Sequence, residues 1–548
     1  MNWRAMIPGL FLVTSALAED IPFHLGVQTH MEQGWSNSSI RLARDMGATH
    51  LRDEIGWVTA EKQPGVYSFD VADRYMLPII NQGMTPLIVV TDTHPLYDNG
   101  DTPHSKEGRE AMAAWISAIF SHYGVNNVQI EIGNEVNADD FVSGPFTENP
   151  PVYFAALVRT IRDRLDQDHP KARIMCSGLN TIAIGFYRAF FQAGGLDSCD
   201  AISVHPYRDN PDTLLIELSR LTSLMEEFGR ARPIYVTEFG HWFDDPNDAP
   251  DYMVKMVSQL AASGVTDAYW YALLDEEWWP NMGLLDENAR NRKPAADAFE
   301  LLQNTLLPLG RPATRATINT SHVYEFGDGG NGFVLWGSGA EIEISGTADY
   351  FDTRGRPIEA ISALSDTPVV ITGQDLEVRL ISPGNTADTQ YQFNQPPWSY
   401  FVRRPEVGIV PLEVIDWRWP SFLGAPDLSP LNVGFDGITT ARFDDKPYSV
   451  IERFTAQAAG RHTINGWWQT ETKTEPSRLF IRHNDNDLTE DGITTDRYSL
   501  PELALDLQPG DTIDFEIAPA GPNGDSFTTR RIKISGPAAE TSETTLSD

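Results

Sequence analysis

The chain has 548 residues, with 41 basic against 77 acidic side chains and a formal charge of -36. That balance excludes nucleic acid and anionic membrane surfaces as natural partners, makes a strongly anionic polysaccharide an uncomfortable substrate, and reads first as solubility. The length would suggest three or four domains, except that α/β barrels run as single units of about 250 residues.

Residues 1–18 carry a charged start, an apolar run and the small-residue sequence Ala16-Leu17-Ala18 before Glu19. This is the order of a secretory signal, too short and too interrupted for a membrane anchor. The expectation is a secreted or periplasmic protein that begins near Glu19, with no later span across a membrane.

From residue 23 to about 307, apolar strand-like runs alternate with helical patterns. The runs are 23–30, 50–57, 85–92, 128–135, 173–180, 201–207, 233–240 and 267–274, and helical spacing recurs at 38–46, 106–123, 151–166, 212–228 and 252–263. Eight such runs joined by helical crossovers predict a (β/α)8 barrel, an α/β fold that keeps its chemistry at the carboxyl ends of the strands. A helical pattern over 293–306 closes the barrel, and Pro308-Leu309-Gly310-Arg311-Pro312 stops it.

The two cysteines, Cys176 and Cys199, are 23 residues apart. In an exported protein they could form a bridge, but Cys176 lies in an apolar run where a free buried thiol is ordinary, so both states stay open. Two lone cysteines do not make a zinc site.

After the barrel the period changes to two. Short strands at 323–326, 332–336, 342–344, 369–371 and 376–381 predict a small β-sandwich over 308–382. The Pro, Gly and Asn/Gln-rich stretch 383–399 reads as a linker, 400–537 as a second β-sandwich, and 538–548 as a disordered tail.

Within the barrel the fourth and seventh runs end in Asn134-Glu135 and in Glu238-Phe239. In an eight-stranded barrel those strand ends face one another across the mouth. Two facing carboxylates are the equipment of glycosidic bond cleavage: one protonates the leaving oxygen and the other, ionised, attacks the anomeric carbon. His94 and the Asp275 to Glu277 stretch end other runs, where a solvated loop residue and a substrate contact are both open. Trp278 and Trp279, in a loop at the same mouth, offer faces on which sugar rings stack.

These residues resemble the clan A glycoside hydrolases, in which an Asn-Glu pair ends the fourth strand and a Glu the seventh. The likeness covers about residues 23 to 307. The eighth-strand region, Tyr269 to Trp278 with Gly283-Leu284-Leu285-Asp286 and Lys293-Pro294, is similar to families 39 and 5. The resemblance implies catalytic roles for Glu135 as acid/base and Glu238 as nucleophile. It also implies that Asn134 bonds the sugar 2-hydroxyl, that Arg52, His205 and Tyr207 hold and tune the nucleophile, and that Tyr269-Trp270 forms an aromatic floor.

The first β region resembles the small sandwich that follows such barrels and is expected to serve stability. The second, with Leu507 to Phe515 and Asn523-Gly524-Asp525, is similar to carbohydrate-binding modules, and Trp417, Trp419, Trp467 and Trp468 could form its platform. Asp485, Asp487, Glu490 and Asp491 make an oxygen-rich loop able to hold calcium, though a solvated turn is the simpler reading; no other cofactor is expected.

The reading that results is an exported retaining β-glycoside hydrolase acting on an oligo- or polysaccharide, with endo action favoured by long loops after the fourth and eighth strands. A non-catalytic glycan-binding protein and a transglycosylase are the alternatives. Sugar, linkage and oligomeric state stay open.

Overall fold

The computed structural model describes residues 22–538 except 92, 319, 339, 382–384 and 523–525. The predicted leader, the Asn523-Gly524-Asp525 motif and the tail beyond Ala538 lie outside the described residues.

Eight parallel strands close a barrel: β1 His24–Gln28, β2 His50–Glu54, β3 Thr85–Val90, β4 Gln129–Ile132, β5 Ile174–Asn180, β6 Ala201–His205, β7 Ile234–Phe239 and β8 Asp267–Trp270. Each strand pairs with its sequence neighbour, and β8 returns to β1 with Ala268 beside Leu25 and Trp270 beside Val27. A helix follows every strand. The run Thr-Pro-Leu-Ile-Val-Val of β3 shows why these strands read as continuous apolar stretches: each is covered by helices outside and by side-chain layers inside.

Two of the eight crossover helices, Asp73–Asn81 and Ile184–Gln192, have no counterpart among the predicted ones. The first is interrupted by Pro78, and the second, Ile-Gly-Phe-Tyr-Arg-Ala-Phe-Phe-Gln, is apolar on most sides, so neither shows a clean amphipathic period. The long helix Lys106–Tyr123 starts as its sequence dictates, with the Ser105 hydroxyl accepting from the Gly108 N–H at 3.0 Å. Among the described residues no helix is long and apolar enough to cross a membrane.

The region after the barrel departs from a self-contained sandwich. It is one five-stranded antiparallel sheet, in the order Pro312–Ile318, Thr320–Phe326, Gly332–Ser338, Val369–Ile381, Glu341–Phe351. Strand alternation explains the difference. Tyr324, Phe326, Val334 and Trp336 pack into the barrel core, whereas Val323, Phe333 and Leu335 join a separate core on the opposite face. The barrel therefore supplies the second layer. The Trp336 indole N–H donates to Asp212 Oδ1 at 2.7 Å, and the Lys255 ammonium lies 5.8 Å from the ring centroid.

The stretch 383–399 is not a free linker. Asn385–Asp388 is a strand that pairs antiparallel with Ser526–Gly536, and Tyr391 and Phe393 are buried. Its polar composition hides this because Asp388 is fully buried against the Arg531 guanidinium, at 2.6 Å. The remaining strands, to Ser526–Gly536, enclose a core that includes Trp398, Val402, Val450, Trp468 and Phe515. Trp468 is thus core, and the adjacent Trp467 points to the other face with Arg497 4.0 Å from its ring centroid, so the four tryptophans form no common platform.

Cys176 on β5 is bridged to Cys199, just ahead of β6, with Cα atoms 5.8 Å apart. Closing a 23-residue separation stabilises by about 3 kcal/mol in the loop-entropy account. The double variant Cys176→Ala/Cys199→Ala should lose about that much stability in urea titrations compared with the oxidised protein. An unchanged unfolding midpoint would contradict the bridge.

Candidate active site

Three local departures from regular strand geometry build the site. At the end of β4, Gly133 turns the chain at φ 84°, with its N–H bonded to Val90 O at 2.8 Å. A Cβ there would meet Phe154 and Val136 at 3.0 Å, so glycine is required. Glu135 follows at φ 48°, its N–H donating to Gly178 O at 2.8 Å. Gly178 belongs to a bulge in β5, where Cys176 to Leu179 advances three residues against two on β6. A Cβ on Gly178 would sit 2.6 Å from Glu131 Oε1 and 3.1 Å from His205 Nε2, so the bulge brings bare backbone up to the polar centre.

The third departure is in β7. Val236 pairs with Ala268 and Phe239 with Trp270, three steps against two. The extra residue lets two consecutive side chains, Thr237 and Glu238, both join the polar network inside the barrel, which strict alternation forbids.

Arg52, from the middle of β2 and almost fully buried, organises that network. Its Nε donates to Glu131 Oε2 at 3.0 Å, Nη1 to Gln28 Oε1 at 2.7 Å and to Glu238 Oε1, and Nη2 to Asn134 Oδ1 at 2.9 Å. Tyr207 donates its hydroxyl to the other Glu238 oxygen at 2.7 Å. Burial alone would push the Glu238 carboxyl up. The charges of His205 and Arg52 and the Tyr207 hydrogen bond outweigh it and hold the group below the usual carboxylate range.

His205 is fully buried, with Nδ1 3.1 Å from Glu135 Oε1 and Nε2 3.1 Å from Thr237 Oγ1. Thr237 gives its only hydroxyl proton to Glu131 Oε1, at 2.6 Å. It must therefore accept from His205, which fixes the imidazole proton on Nε2. The other ring nitrogen then shares a proton with Glu135: either Glu135 donates to Nδ1 or the imidazolium donates to the carboxylate. Burial would lower the His205 pKa, but the negative charge of Glu238 and the bond to Glu135 raise it above the usual imidazole value. His205 thus serves Glu135 more closely than Glu238, whose Oε2 lies 3.8 Å away.

Glu135 and Glu238 are each only 8% exposed and each offers an oxygen within 4.8 Å of the other. Such a separation suits direct attack by one carboxylate on a sugar while the other transfers a proton, with no water between the attacking carboxylate and the sugar.

Of the remaining candidates, two are consumed by the scaffold. His94 is 2% exposed with both ring nitrogens engaged, Nε2 to Glu61 O at 3.0 Å and Nδ1 to the Leu96 N–H at 3.1 Å. Trp270 is 0% exposed, its indole N–H donating to Met282 O at 2.8 Å and its ring packed edge-on against Phe239. Neither has a face open to a sugar. Pleat alternation turns Trp270 outward to the helices, and the next residue, Tyr271, comes to the mouth instead, its hydroxyl 3.1 Å from His30 Nε2. Burial pushes His30 down to about 4, so it is neutral there.

Asp275 ties its own loop through Lys293 and the Gly283 N–H, whereas Glu276 lies 3.7 Å from His30. Trp278 is 79% exposed, and Trp279 packs against Trp242, ring centroids 5.4 Å apart.

Glu131, Thr237, Tyr271 and Trp242 are absent from the sequence-based set. Glu131 had a signal: a carboxylate inside an apolar strand survives only with a buried cation, and Arg52 was the available one.

Among the described residues, two groups bring three metal-capable side chains within 4.8 Å: Glu135, His205 and Glu238, and, at the opposite end of the barrel, His24, His50 and Asp267. In the first, both Glu238 oxygens are taken by Arg52 and Tyr207, a poor setting for a cation. The acidic loop at 485–491 is a hairpin whose carboxylates face separate partners. Asp487 meets Arg482 at 2.6 Å, Glu490 meets Arg478 at 3.4 Å, and Asp491 accepts from Tyr498 at 2.7 Å.

No family model matches the sequence, and neither does any curated protein. Solved structures do align with it. An exo-β-1,4-mannosidase from Opitutaceae bacterium strain TAV5 aligns at 17% identity and TM-score 0.42, over 52% of this chain and 59% of that one. The chain therefore spans less than two thirds of that enzyme. A GH39 β-xylosidase from Caulobacter crescentus aligns at 16% identity and TM-score 0.49, covering 64% and 96%. A GH30 endoxylanase from Clostridium papyrosolvens C71 aligns at 13% and 0.47, covering 65% and 97%. At this level of likeness the case for function rests on the site itself.

Replacing Tyr207 by Phe removes one of the groups that keep Glu238 ionised, so its carboxyl should titrate at higher pH than in the wild type. Carbon NMR of glutamate-labelled protein, with the resonance assigned by its loss in Glu238→Gln, measures the midpoint. An unmoved midpoint would show that the hydroxyl does not tune the carboxylate.

Proposed function

We propose that this chain is an exported retaining β-glycoside hydrolase that cleaves an oligo- or polysaccharide by double displacement. The observation that carries the reading is the pairing of Glu135 and Glu238 at one barrel mouth, with oxygens within 4.8 Å of each other. Glu238, held ionised by Arg52, His205 and Tyr207, attacks the anomeric carbon. Glu135 gives its proton to the leaving oxygen as that bond breaks and then, as a carboxylate, takes a proton from the water that hydrolyses the glycosyl ester.

The other groups fall into supporting parts. Asn134 spends its oxygen on Arg52, leaving its amide NH2 for the sugar 2-hydroxyl. Through Nδ1, His205 can hold the proton shared with Glu135 as that residue alternates between acid and base. Trp278 supplies an open ring face for a further sugar. The buried Cys176–Cys199 bridge supports the reading of export, since disulfides persist in oxidising compartments. Endo action is favoured by the exposed tryptophans along the rim, which suit a chain of sugars more than a single unit.

Removing the nucleophile and removing the acid should differ in kind. Glu238→Ala should lose nearly all activity, on the order of 10^4-fold, on any substrate. Glu135→Ala should keep activity on nitrophenyl glycosides, whose leaving group needs no proton, and added azide should yield a β-glycosyl azide. Azide rescue of Glu238→Ala with an α-product is compatible with these roles, whereas a β-azide from Glu238→Ala would show that they are exchanged.

A further inference from the structure

One loop of the second β domain lies on the face of the barrel that carries Glu135. Between its strands Glu413–Ile415 and Phe422–Gly424 the chain passes over the loops that follow β4 and β5. Asn137, two residues beyond Glu135, donates both to Asn180 O at 3.0 Å and to Arg418 O at 2.8 Å. Arg418 grips Asp139 with two bonds, of 2.7 and 2.9 Å, and Arg220, on the helix after β6, meets Asp416 at 2.6 Å. Gly185 completes the seat: a Cβ there would lie 2.5 Å from the Trp417 backbone, so only glycine lets the loop settle. Contacts from three successive βα units thus hold the loop against the barrel.

Under this loop is a cavity of about 180 Å³ lined by Asn137, Pro150, Phe186, Trp417 and Arg418. Trp417 is held in place, its indole N–H donating to Pro420 O at 2.9 Å and its ring edge-on to Phe422 at 5.8 Å, yet it stays 47% exposed. A rigid, half-open indole beside a guanidinium that keeps N–H donors beyond the two given to Asp139 is the chemistry that receives a pyranose: an apolar ring face on the aromatic, hydroxyls on the cation.

Direction comes from the mechanism. An acid protonates the leaving oxygen, so the departing part of a glycan lies on the Glu135 side of the cleft. The Trp417 loop lies on that side, next to the β4 and β5 ends, whereas Trp242, Trp278 and Trp279 come from the loops after β7 and β8. We infer that the Asp416–Trp419 loop of the second β domain forms a leaving-group subsite, in which Trp417 stacks on a sugar of the departing chain. The inference rests on the hydrolase reading. It adds that the appended domain is part of the substrate cleft, not a separate binding module.

The test measures binding and turnover separately. In a Glu238→Ala background, wild-type and Trp417→Ala loops are titrated calorimetrically with cellohexaose, xylohexaose, mannohexaose and laminarihexaose. For the tightest hexasaccharide, Trp417→Ala should weaken binding roughly 5- to 15-fold, and Trp417→Tyr should restore most of it. With active enzyme, KM for that hexasaccharide should rise by a similar factor relative to KM for the matching nitrophenyl glycoside, which does not extend to the loop. Equal affinities in the two forms, a uniform rise in both KM values, or no binding of any hexasaccharide by the wild-type loop would overturn the subsite. Hydrolysis of the nitrophenyl glycoside reports independently on the proposed activity.

Discussion

One buried cation holds the centre of this molecule together. Arg52 is removed from water and spends its guanidinium on Gln28 of β1, on Glu131 and Asn134 in and just after β4, and on Glu238 of β7, three strands spaced around the barrel. Its charge helps hold the buried Glu238 carboxyl ionised, and losing one partner of such a set costs about 3–5 kcal/mol because the other is left buried and uncompensated. The same contacts that stabilise the interior also define the chemistry. Glu238 stays ionised because Arg52, His205 and Tyr207 converge on it, and Asn134 is oriented because its oxygen is already used.

The polar centre in turn requires the bulges. In a regular strand Thr237 and Glu238 would face opposite sides, and Glu131 would have no threonine to fix the His205 tautomer. One extra residue in β7 puts both side chains inside, and another in β5 brings the bare backbone of Gly178 up to Glu131 and offers its carbonyl to the Glu135 N–H. Strain at the Gly133–Glu135 turn is thus tied to a hydrogen bond from a neighbouring strand. The β regions extend this economy outward. The five-stranded sheet takes the barrel as its second layer, and the last domain lays a loop on the catalytic face.

What could be read from the sequence follows the period of its signals. Eight apolar runs separated by helical spacing are strong patterns, and the strand-end positions of Glu135 and Glu238 followed from them; the structure brings those two together with Arg52, His205 and Tyr207. The phase of a strand end was not legible. Trp270 and Tyr271 differ by one residue, and only the pleat decides that the tyrosine reaches the mouth while the tryptophan packs against Phe239. His94 looked free because nothing local shows that a carbonyl at Glu61, 33 residues away, takes its ring nitrogen. The strand Asn385–Asp388 was hidden for a similar reason, since its acidic end is neutralised by an arginine 143 residues later in the chain.

The proposed double displacement runs through two glutamates with oxygens within 4.8 Å of each other. Proton NMR of the first-formed product from a β-linked oligosaccharide tests it most directly, because the anomeric signal appears before mutarotation scrambles it. The β anomer should appear first. An initial α anomer would mean single displacement by water, and the geometry of Glu135 and Glu238 would then not be the reacting one.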